Sequence, residues 1–337
     1  MWTKKMPIET NEIKKILIIQ FTPYSNVFLA SITFETLKKS FPNSELYFLL
    51  KDPYQEIVTD HKYLDQTILF PKEKGFKYFT SRAKLFMQIR KEKFDLIIDY
   101  QADFVSKQVC FFSGAKYRIG YGINRPVYTY NYKVPVEKNK YIVLQKFDLL
   151  RPLGIESEPN SFHFCISDES TEFIDKWLKE NDIKENNFIL MTPGSAKAIK
   201  KWRNSYFASL GDLIIDTLNL PVVLLGSNDE QADCQRVYEL MISKPIIAPE
   251  MSLNRAVALI KRSKVLICND GCLNHVSCAT DTKTIAIFGN TDPAEWSPVN
   301  LFEHHHHLYK ENYPSKHDDS FGISPQSVLN KIIEIIK

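Results

Sequence analysis

Hydrophobic and polar positions repeat along the chain with two different periods. Short β-branched runs such as 15–20 (KILIIQ) and 94–99 (FDLIID) predict buried strands, and apolar residues three or four positions apart between them predict helices. The other predicted strands are 44–50, 66–70, 117–119, 187–192, 221–225, 264–268 and 282–288, and the predicted helices are 27–41, 76–93, 104–112, 206–218, 230–242, 253–260, 273–279 and 325–336. This alternation is typical of parallel sheets that are covered by helices on both faces.

The alternation runs twice, with an interruption in the middle of the chain. Pro152, Gly154 and Pro159 break the pattern before the second run begins. We therefore predict an α/β protein of two doubly wound, Rossmann-like domains, residues 1–160 and 161–322. A final helix within 323–337 follows, and its packing against the N-terminal domain is an open option.

Composition and charge narrow the class of protein. The chain has 337 residues, 44% of them hydrophobic and 25% charged, which is ordinary for a folded protein of two domains. Acidic and basic residues are interleaved and the net charge is only +3, so nucleic acid is not an expected partner. The six cysteines include no C-x-x-C pair, and no long apolar segment is present. A cytoplasmic monomer with reduced thiols is the simplest expectation.

The most distinctive loop is 268–275 (CNDGCLNH), between a predicted strand and a predicted helix. Ligands of parallel sheets bind at the carboxyl ends of strands, and the first N–H groups of a helix favour an anion. Gly271 allows close approach of a phosphate, and Asp270 could cap the helix. A capped helix without a ligand fits the spacing equally well.

The loop 192–203 also follows a predicted strand. Thr192, Gly194 and Ser195 offer small hydroxyl and amide donors, and Lys200 or the lysine after it could neutralise phosphate oxygens. A solvated basic loop is the alternative interpretation.

Two further strand ends carry polar residues. Asp229 and Glu230, in 226–230, could hold ribose hydroxyls or could simply favour the start of a helix. In the loop 21–27, which has no glycine-rich fingerprint, Asn26 is expected to cap the following helix.

Together, these loops resemble those of glycosyltransferase family 9, the ADP-heptose:lipopolysaccharide heptosyltransferases, from about residue 15 to 336. Residues 94–122 are similar to the family's Asp-x-Gln segment and its Ser-Gly-Ala-x-x-Arg-Ile-Gly. The segment MTPGSAKAIKKWRNSYFASL resembles its Pro-Gly-(x)-Lys-Arg-Trp stretch, and VVLLGSNDE, NDGCLNHVSCA and IAIFGNTDPAEWSP complete the match. The resemblance implies a GT-B fold, with the two sheets facing across a cleft.

The resemblance also implies a substrate for each domain. The donor would be a nucleotide sugar, usually ADP-heptose, with Asp229 or Glu230 facing the ribose. Its diphosphate would rest on the amides of Gly271, Cys272 and Leu273, helped by Lys200 and by Thr192 or Ser195. Gly194, Asp270 and His275 complete the residues expected to bind the donor. The acceptor would be a phosphorylated, lipid-linked core sugar, with Arg82, Gln101 and Arg118 as candidate contacts. The family inverts the configuration of the anomeric centre and uses no protein-bound metal or cofactor. It acts at the inner face of the Gram-negative inner membrane, so peripheral contact with that membrane is expected.

Two positions depart from the family's pattern. Its Gly-Asp becomes Ser25-Asn26 here, and that aspartate is the proposed general base. An amide accepts no proton at neutral pH, and loss of a general base typically costs about 10²–10⁴ in rate. In the donor turn, Asp270 is followed by Gly271 where the family has Ser or Thr, so backbone donors remain and a hydroxyl is lost.

Several alternatives remain open at this point. Asp103 could replace the base, transfer could proceed slowly by leaving-group stabilisation alone, or the chain could be a non-catalytic paralogue that binds without turnover. A nucleotide-sugar 2-epimerase shares the fold, but the sequence identifies no acid/base set for one. We interpret the run 304–307 (HHHH) as a solvated loop, because four adjacent imidazoles cannot all face one metal ion.

Overall fold

Two compact units, Met1–His163 and Phe164–Lys337, make up the chain in a computed structural model. The structure describes residues 8–73, 75–122, 129–157, 159, 161–311, 313 and 318–337. The expected boundary, between residues 160 and 161, lies just before the division between the units. Among the described residues, none of the helices combines the length and the apolar character that a membrane span requires.

The N-terminal unit is built on a parallel sheet of six strands in the order β3-β2-β1-β4-β5-β6. Its strands are β1 (Lys15–Ile19), β2 (Glu45–Lys51), β3 (Gln66–Phe70), β4 (Leu96–Asp99), β5 (Tyr117–Gly122) and β6 (Tyr132–Pro135). Its helices are α1 (Tyr24–Ser31), α2 (Thr33–Ser40), α3 (Phe76–Glu92), α4 (Phe104–Ser113) and α5 (Ile142–Asp148). The strand order reverses between β1 and β4, so the loops after these strands meet where doubly wound sheets bind ligands.

The C-terminal unit repeats this arrangement, with strand order β12-β11-β10-β7-β8-β9. Its strands are β7 (Ile189–Thr192), β8 (Val222–Leu224), β9 (Ile246–Ile247), β10 (Val265–Asn269), β11 (Thr284–Ile287) and β12 (His305–Leu308). Its helices are α6 (Asp168–Glu180), α7 (Asn204–Leu218), α8 (Gln231–Leu240), α9 (Leu253–Arg262), α10 (Cys272–Val276), α11 (Pro293–Trp296) and α12 (Pro325–Ile336). Short 3₁₀ turns occur at Thr10–Glu12, Asp52–Ile57, Arg151–Leu153, Ala198–Lys200, Asn228–Glu230 and Ser277–Ala279. The order reverses between β7 and β10, which confirms two doubly wound α/β units.

The histidine run forms an edge strand, so its interpretation as a solvated loop is wrong. Strand β12 pairs in parallel with β11, and the side chain of His305 is fully buried. Burial lowers the pKa of His305 to about 3, so the imidazole is neutral and packs as a flat, largely apolar ring. Backbone pairing at the sheet edge therefore outweighs the polar character of the run.

One helical prediction also differs from the structure, and the final helix lies within the C-terminal unit. The helix expected over 27–41 is divided into α1 and α2 at Ile32. The final helix, α12, packs on α7 and β11 within the C-terminal unit, where Val328, Leu329 and Ile332 join the hydrophobic core. The apolar face of α12 is therefore covered by its own unit, and the C-terminal unit includes residues 323–337.

Candidate functional site

The strand order of the C-terminal unit reverses between β7 and β10, and we call this place its switch point. There the side chain of Asn269 joins the loops that follow the two strands. Its Nδ2 donates to the carbonyl oxygens of Pro193 and Gly194 at 2.9 and 3.0 Å. Its Oδ1 accepts from the backbone N–H of Trp202 at 2.9 Å. This buried amide fixes the two loops to each other, a role that the sequence around it does not indicate.

The carboxylate of Asp270, next in the chain, holds a lysine and a threonine. Its Oδ2 accepts from Lys200 Nζ at 2.5 Å and from Thr291 Oγ1 at 2.7 Å. The Asp270 side chain is 2% exposed and that of Lys200 is 16% exposed, so the pair is largely shielded from water. The ammonium also lies 5.3 Å from the ring centre of Trp296. The expected capping role of Asp270 is wrong, because its carboxylate binds Lys200 and Thr291 instead.

Helix α10 starts at this point without a side-chain cap. Gly271 is the residue before the helix and has an extended backbone. A Cβ placed on Gly271 would meet only the carbonyl oxygen of Asn269, at 3.8 Å, so packing within the protein does not require glycine here. The positive end of the helix dipole and the Lys200 ammonium thus lie together, an arrangement suited to a diphosphate.

Two buried imidazoles support α10. Burial lowers the pKa of His275 to about 4, so this ring is neutral at pH 7. His305 Nε2 lies 3.0 Å from the carbonyl oxygen of Asn274. Because a carbonyl oxygen only accepts, Nε2 of His305 carries the proton and donates it to the backbone of the helix.

Glu230 lies against the loop that follows β7. A Cβ placed on Gly194 would come within 2.5 Å of the Glu230 Cβ, so only glycine allows this approach. The Glu230 carboxylate accepts from Ser227 N at 3.1 Å and from Ser227 Oγ at 2.9 Å. Asp229 is exposed. Of the two predicted ribose contacts, the structure therefore brings Glu230 to the loop at 192–203.

In the N-terminal unit, Gln101 joins the loops that follow β1 and β4. Its Oε1 accepts from Gln20 Nε2 at 2.7 Å and from the N–H groups of Phe21 and Thr22 at 3.2 and 3.1 Å. Its Nε2 donates to Thr22 Oγ1 at 2.9 Å and to Asp103 Oδ2 at 3.2 Å. These bonds occupy the amide, so Gln101 shapes the switch point of this unit.

The two candidates for the base position have different surroundings. Asn26 lies in the first turn of α1, whose capping residue is Pro23, so the expected capping role of Asn26 is wrong. Among the described residues, no partner bonds its buried Oδ1. Asp103 caps α4, with Oδ1 accepting from Val105 N and Ser106 N at 2.8 Å each.

The two arginines predicted to bind acceptor both contact protein groups. Arg118 donates from Nε to the carbonyl oxygen of Thr129 at 2.7 Å and from Nη1 to that of Ala115 at 2.5 Å. Arg82 donates from Nη2 to Gln108 Oε1 and so links α3 to α4. Both therefore support the fold of the unit, and their contact with an acceptor remains a prediction.

A buried lysine, Lys146, bonds to Gln20, which in turn bonds to Gln101. Lys146 Nζ donates to Gln20 Oε1 at 3.1 Å and lies 4.9 Å from the ring centre of Tyr100. Burial lowers the pKa of this ammonium to about 7. Nothing in the sequence around residue 146 distinguishes it from an ordinary exposed lysine.

Comparison with known proteins gives consistent results. Residues 82–321 match the model of glycosyltransferase family 9 (heptosyltransferase). Lipopolysaccharide heptosyltransferase 2 of Escherichia coli strain K12 is 24% identical over 94% of this chain and 97% of its own length. A family 9 glycosyl transferase from Veillonella parvula has a TM-score of 0.84 at 20% identity, over 96% of this chain and 97% of its own. The E. coli heptosyltransferase WaaC with ADP has a TM-score of 0.74 at 16% identity, over 95% and 99% of the chains.

The matched region includes Gln101, Asp103 and Arg118, the loops of the C-terminal switch point and Thr291. It covers well over half of the chain. The protein therefore belongs to glycosyltransferase family 9, the heptosyltransferase family.

Proposed function

We propose that this protein transfers a heptose, or a related sugar, from an ADP-linked donor to a lipopolysaccharide core or related lipid-linked glycan. The observation that carries the proposal is the Lys200–Asp270 pair beside the uncapped start of α10. This arrangement places a fixed cation and the positive end of a helix dipole beside the diphosphate, where negative charge develops as the bond to the sugar breaks. The names of the relatives and the ADP complex of WaaC support the choice of donor and acceptor.

In this proposal the donor diphosphate lies on the amides of Gly271, Cys272 and Leu273. The Lys200 ammonium, oriented by Asp270, donates to one of the diphosphate oxygens, and the buried hydroxyl of Thr192 or that of Ser195 contacts another. His275, which is buried and neutral, lies within α10 and presents no charge of its own to the donor. Stabilisation of the departing ADP by these groups requires no metal ion from the protein.

Glu230 is proposed to face the ribose, which gives a direct comparison with its neighbour. Replacing Glu230 by alanine should weaken ADP binding by about 10-fold, because a hydrogen bond to a charged group contributes about 1.5 kcal/mol or more. Replacing the exposed Asp229 by alanine removes the same charge one residue away and should leave the affinity unchanged. Calorimetric titration with ADP measures both. Equal loss in the two variants would show that net charge, and not a ribose contact, is responsible.

The acceptor would bind at the switch point of the N-terminal unit, near Gln101, with Arg82 and Arg118 as further candidates. We place the reaction at the cytoplasmic face of the inner membrane, with a monomer in peripheral contact with the bilayer. The lipid-linked acceptor motivates this location.

The chemical step of the proposal inverts the anomeric centre. The acceptor oxygen attacks the anomeric carbon as the bond to ADP breaks, and the acceptor proton needs a base. Asn26 cannot take this proton. Asp103 keeps Oδ2 available apart from its bond to Gln101, so we propose it as a substitute base that acts less efficiently than a carboxylate at position 26 would. The alternative function, favoured by Asn26, is a paralogue that binds donor or acceptor without turnover.

Transfer of heptose from ADP-heptose to a deacylated core acceptor tests the proposal. We expect slow transfer by the wild type and, for Asn26→Asp, transfer that is about 10²–10⁴-fold faster, because a carboxylate can act as the general base. Asn43→Asp, an exposed change in the same unit, is the control and should match the wild type. If the Asn26→Asp variant turns over and the wild type does not, the natural chain is better explained as a non-catalytic paralogue. No turnover in any variant, together with no ADP binding, would reject the transferase.

A further inference from the structure

The outer faces of α3 and α4 expose large apolar side chains. Phe79 and Met87 of α3 are 66% and 64% exposed, and Phe104 and Phe111 of α4 are 73% and 61% exposed. Their spacing along each helix places them on one side of that helix. Apolar side chains grouped in this way on a folded protein mark an interaction surface more often than a solvated one.

The two helices lie side by side, so these side chains form one surface. The rings of Phe86 on α3 and Phe112 on α4 stack with their centroids 5.3 Å apart. Arg90 Nη1 of α3 also donates to the carbonyl oxygen of Phe112, at 3.3 Å. The opposite sides of the helices supply the core of the unit, through Leu85, Ile89, Val109 and Cys110. The exposed side chains therefore face away from the sheet.

Basic residues outnumber acidic ones on the two helices. Helix α3 carries five basic residues and α4 carries one, whereas Glu92 is the only acidic residue on either helix. Glu92 bonds to Lys15 of β1 at 2.9 Å, so its charge is already neutralised. Lys77, Lys84 and Lys91 are exposed, and none has an ion pair within the described parts of the chain.

We propose that the outer surface of α3 and α4 docks on an anionic phospholipid bilayer. The aromatic and methionine side chains enter the interfacial region of the bilayer, and the lysines meet the lipid phosphates. Excess positive charge around an apolar surface matches an anionic bilayer, which offers both an apolar layer and negative charge. The proposal rests on the proposed function only for the lipid-linked acceptor, and it adds the surface that brings the enzyme to that lipid.

Vesicle flotation of the full chain tests this surface with two triple variants and a control. Phe79→Ser with Met87→Ser and Phe111→Ser removes the apolar part, and Lys77→Gln with Lys84→Gln and Lys91→Gln removes the charge. Ile242→Ser, at an 89% exposed site in the C-terminal unit, is the control. We expect the wild type to bind phosphatidylglycerol-containing vesicles and each triple variant to bind about 100-fold more weakly. The control should bind like the wild type, and pure phosphatidylcholine should bind weakly.

Unchanged vesicle binding by either triple variant would overturn the proposal. The wild type could instead bind no vesicles and form a dimer in light scattering that the apolar triple variant abolishes. That result would assign the surface to a second copy of the chain. Thermal melting and ADP binding should match the wild type in both triple variants, which shows that they fold. Vesicle binding without sugar transfer would reject the proposed function alone, and transfer to a deacylated acceptor without vesicle binding would reject only this inference.

Discussion

Replacing Asp270 by alanine should lower the free energy of unfolding by about 3 kcal/mol, because it leaves the Lys200 ammonium without its partner in a largely shielded position. The magnitude is at the lower end for a buried pair, since 16% of the Lys200 side chain remains exposed. The Thr291 hydroxyl loses its acceptor as well. Urea unfolding at pH 7 measures the change, and Asp216→Ala, at an exposed position on α7, is the control.

A double substitution separates the charge from the packing. Asp270→Ala combined with Lys200→Met removes both charges, so much of the lost stability should return. If Asp270→Ala behaves like the exposed control, the pair contributes nothing to the fold. If the double variant is no more stable than Asp270→Ala, the loss comes from packing and not from an unpaired cation.

Replacing Lys146 by methionine should stabilise the protein at pH 7 by about 2 kcal/mol. The folded ammonium has a pKa of about 7 against 10.5 for an exposed lysine, which costs the fold about 4 kcal/mol at pH 7. Methionine removes this cost, but it leaves Gln20 Oε1 without its donor, a loss of about 2 kcal/mol. Urea unfolding of both proteins at pH 6, 7 and 9 measures the difference.

The sign of the pH dependence follows from proton binding. Between pH 7 and about 10 the unfolded chain holds a proton on this amine that the folded chain has released. Wild-type stability should therefore rise with pH through this residue, and the advantage of methionine should shrink to near zero at pH 9. Lys138→Met, at an exposed site in the same unit, should show no such change. A constant difference between wild type and Lys146→Met from pH 6 to 9 would contradict this explanation.

The central strands were predictable because their positions are buried on both faces and read as unbroken apolar runs. Strands β1, β4, β7 and β10 are of this kind. The two switch points lie between β1 and β4 and between β7 and β10, where the strand order within each sheet reverses. Three of the four edge strands, β6, β9 and β12, were not predicted, whereas the edge strand β3 was. An edge strand packs less apolar surface, so pairing with its neighbour decides its conformation more than its own residues do.

The candidate site was predictable as a set of loops but not as a set of bonds. The loops around Lys200, Glu230 and Asp270 could be chosen because each follows a strand of a doubly wound sheet. The roles of Asn269 and Thr291 could not be predicted, because their hydrogen bonds join positions far apart in the chain. No local pattern encodes such a bond, since its partner is specified only once both strands are in register.

Calorimetric titration with ADP of the wild type, Lys200→Ala and Lys197→Ala tests the central claim, a diphosphate site between Lys200 and the start of α10. Lys197 is an exposed lysine of the same loop, so its loss removes equal charge from the loop. We predict that the wild type binds ADP, that Lys197→Ala binds it equally well and that Lys200→Ala binds about 10- to 100-fold more weakly. A wild type that does not bind ADP, or a Lys200→Ala variant with unchanged affinity, would contradict the claim.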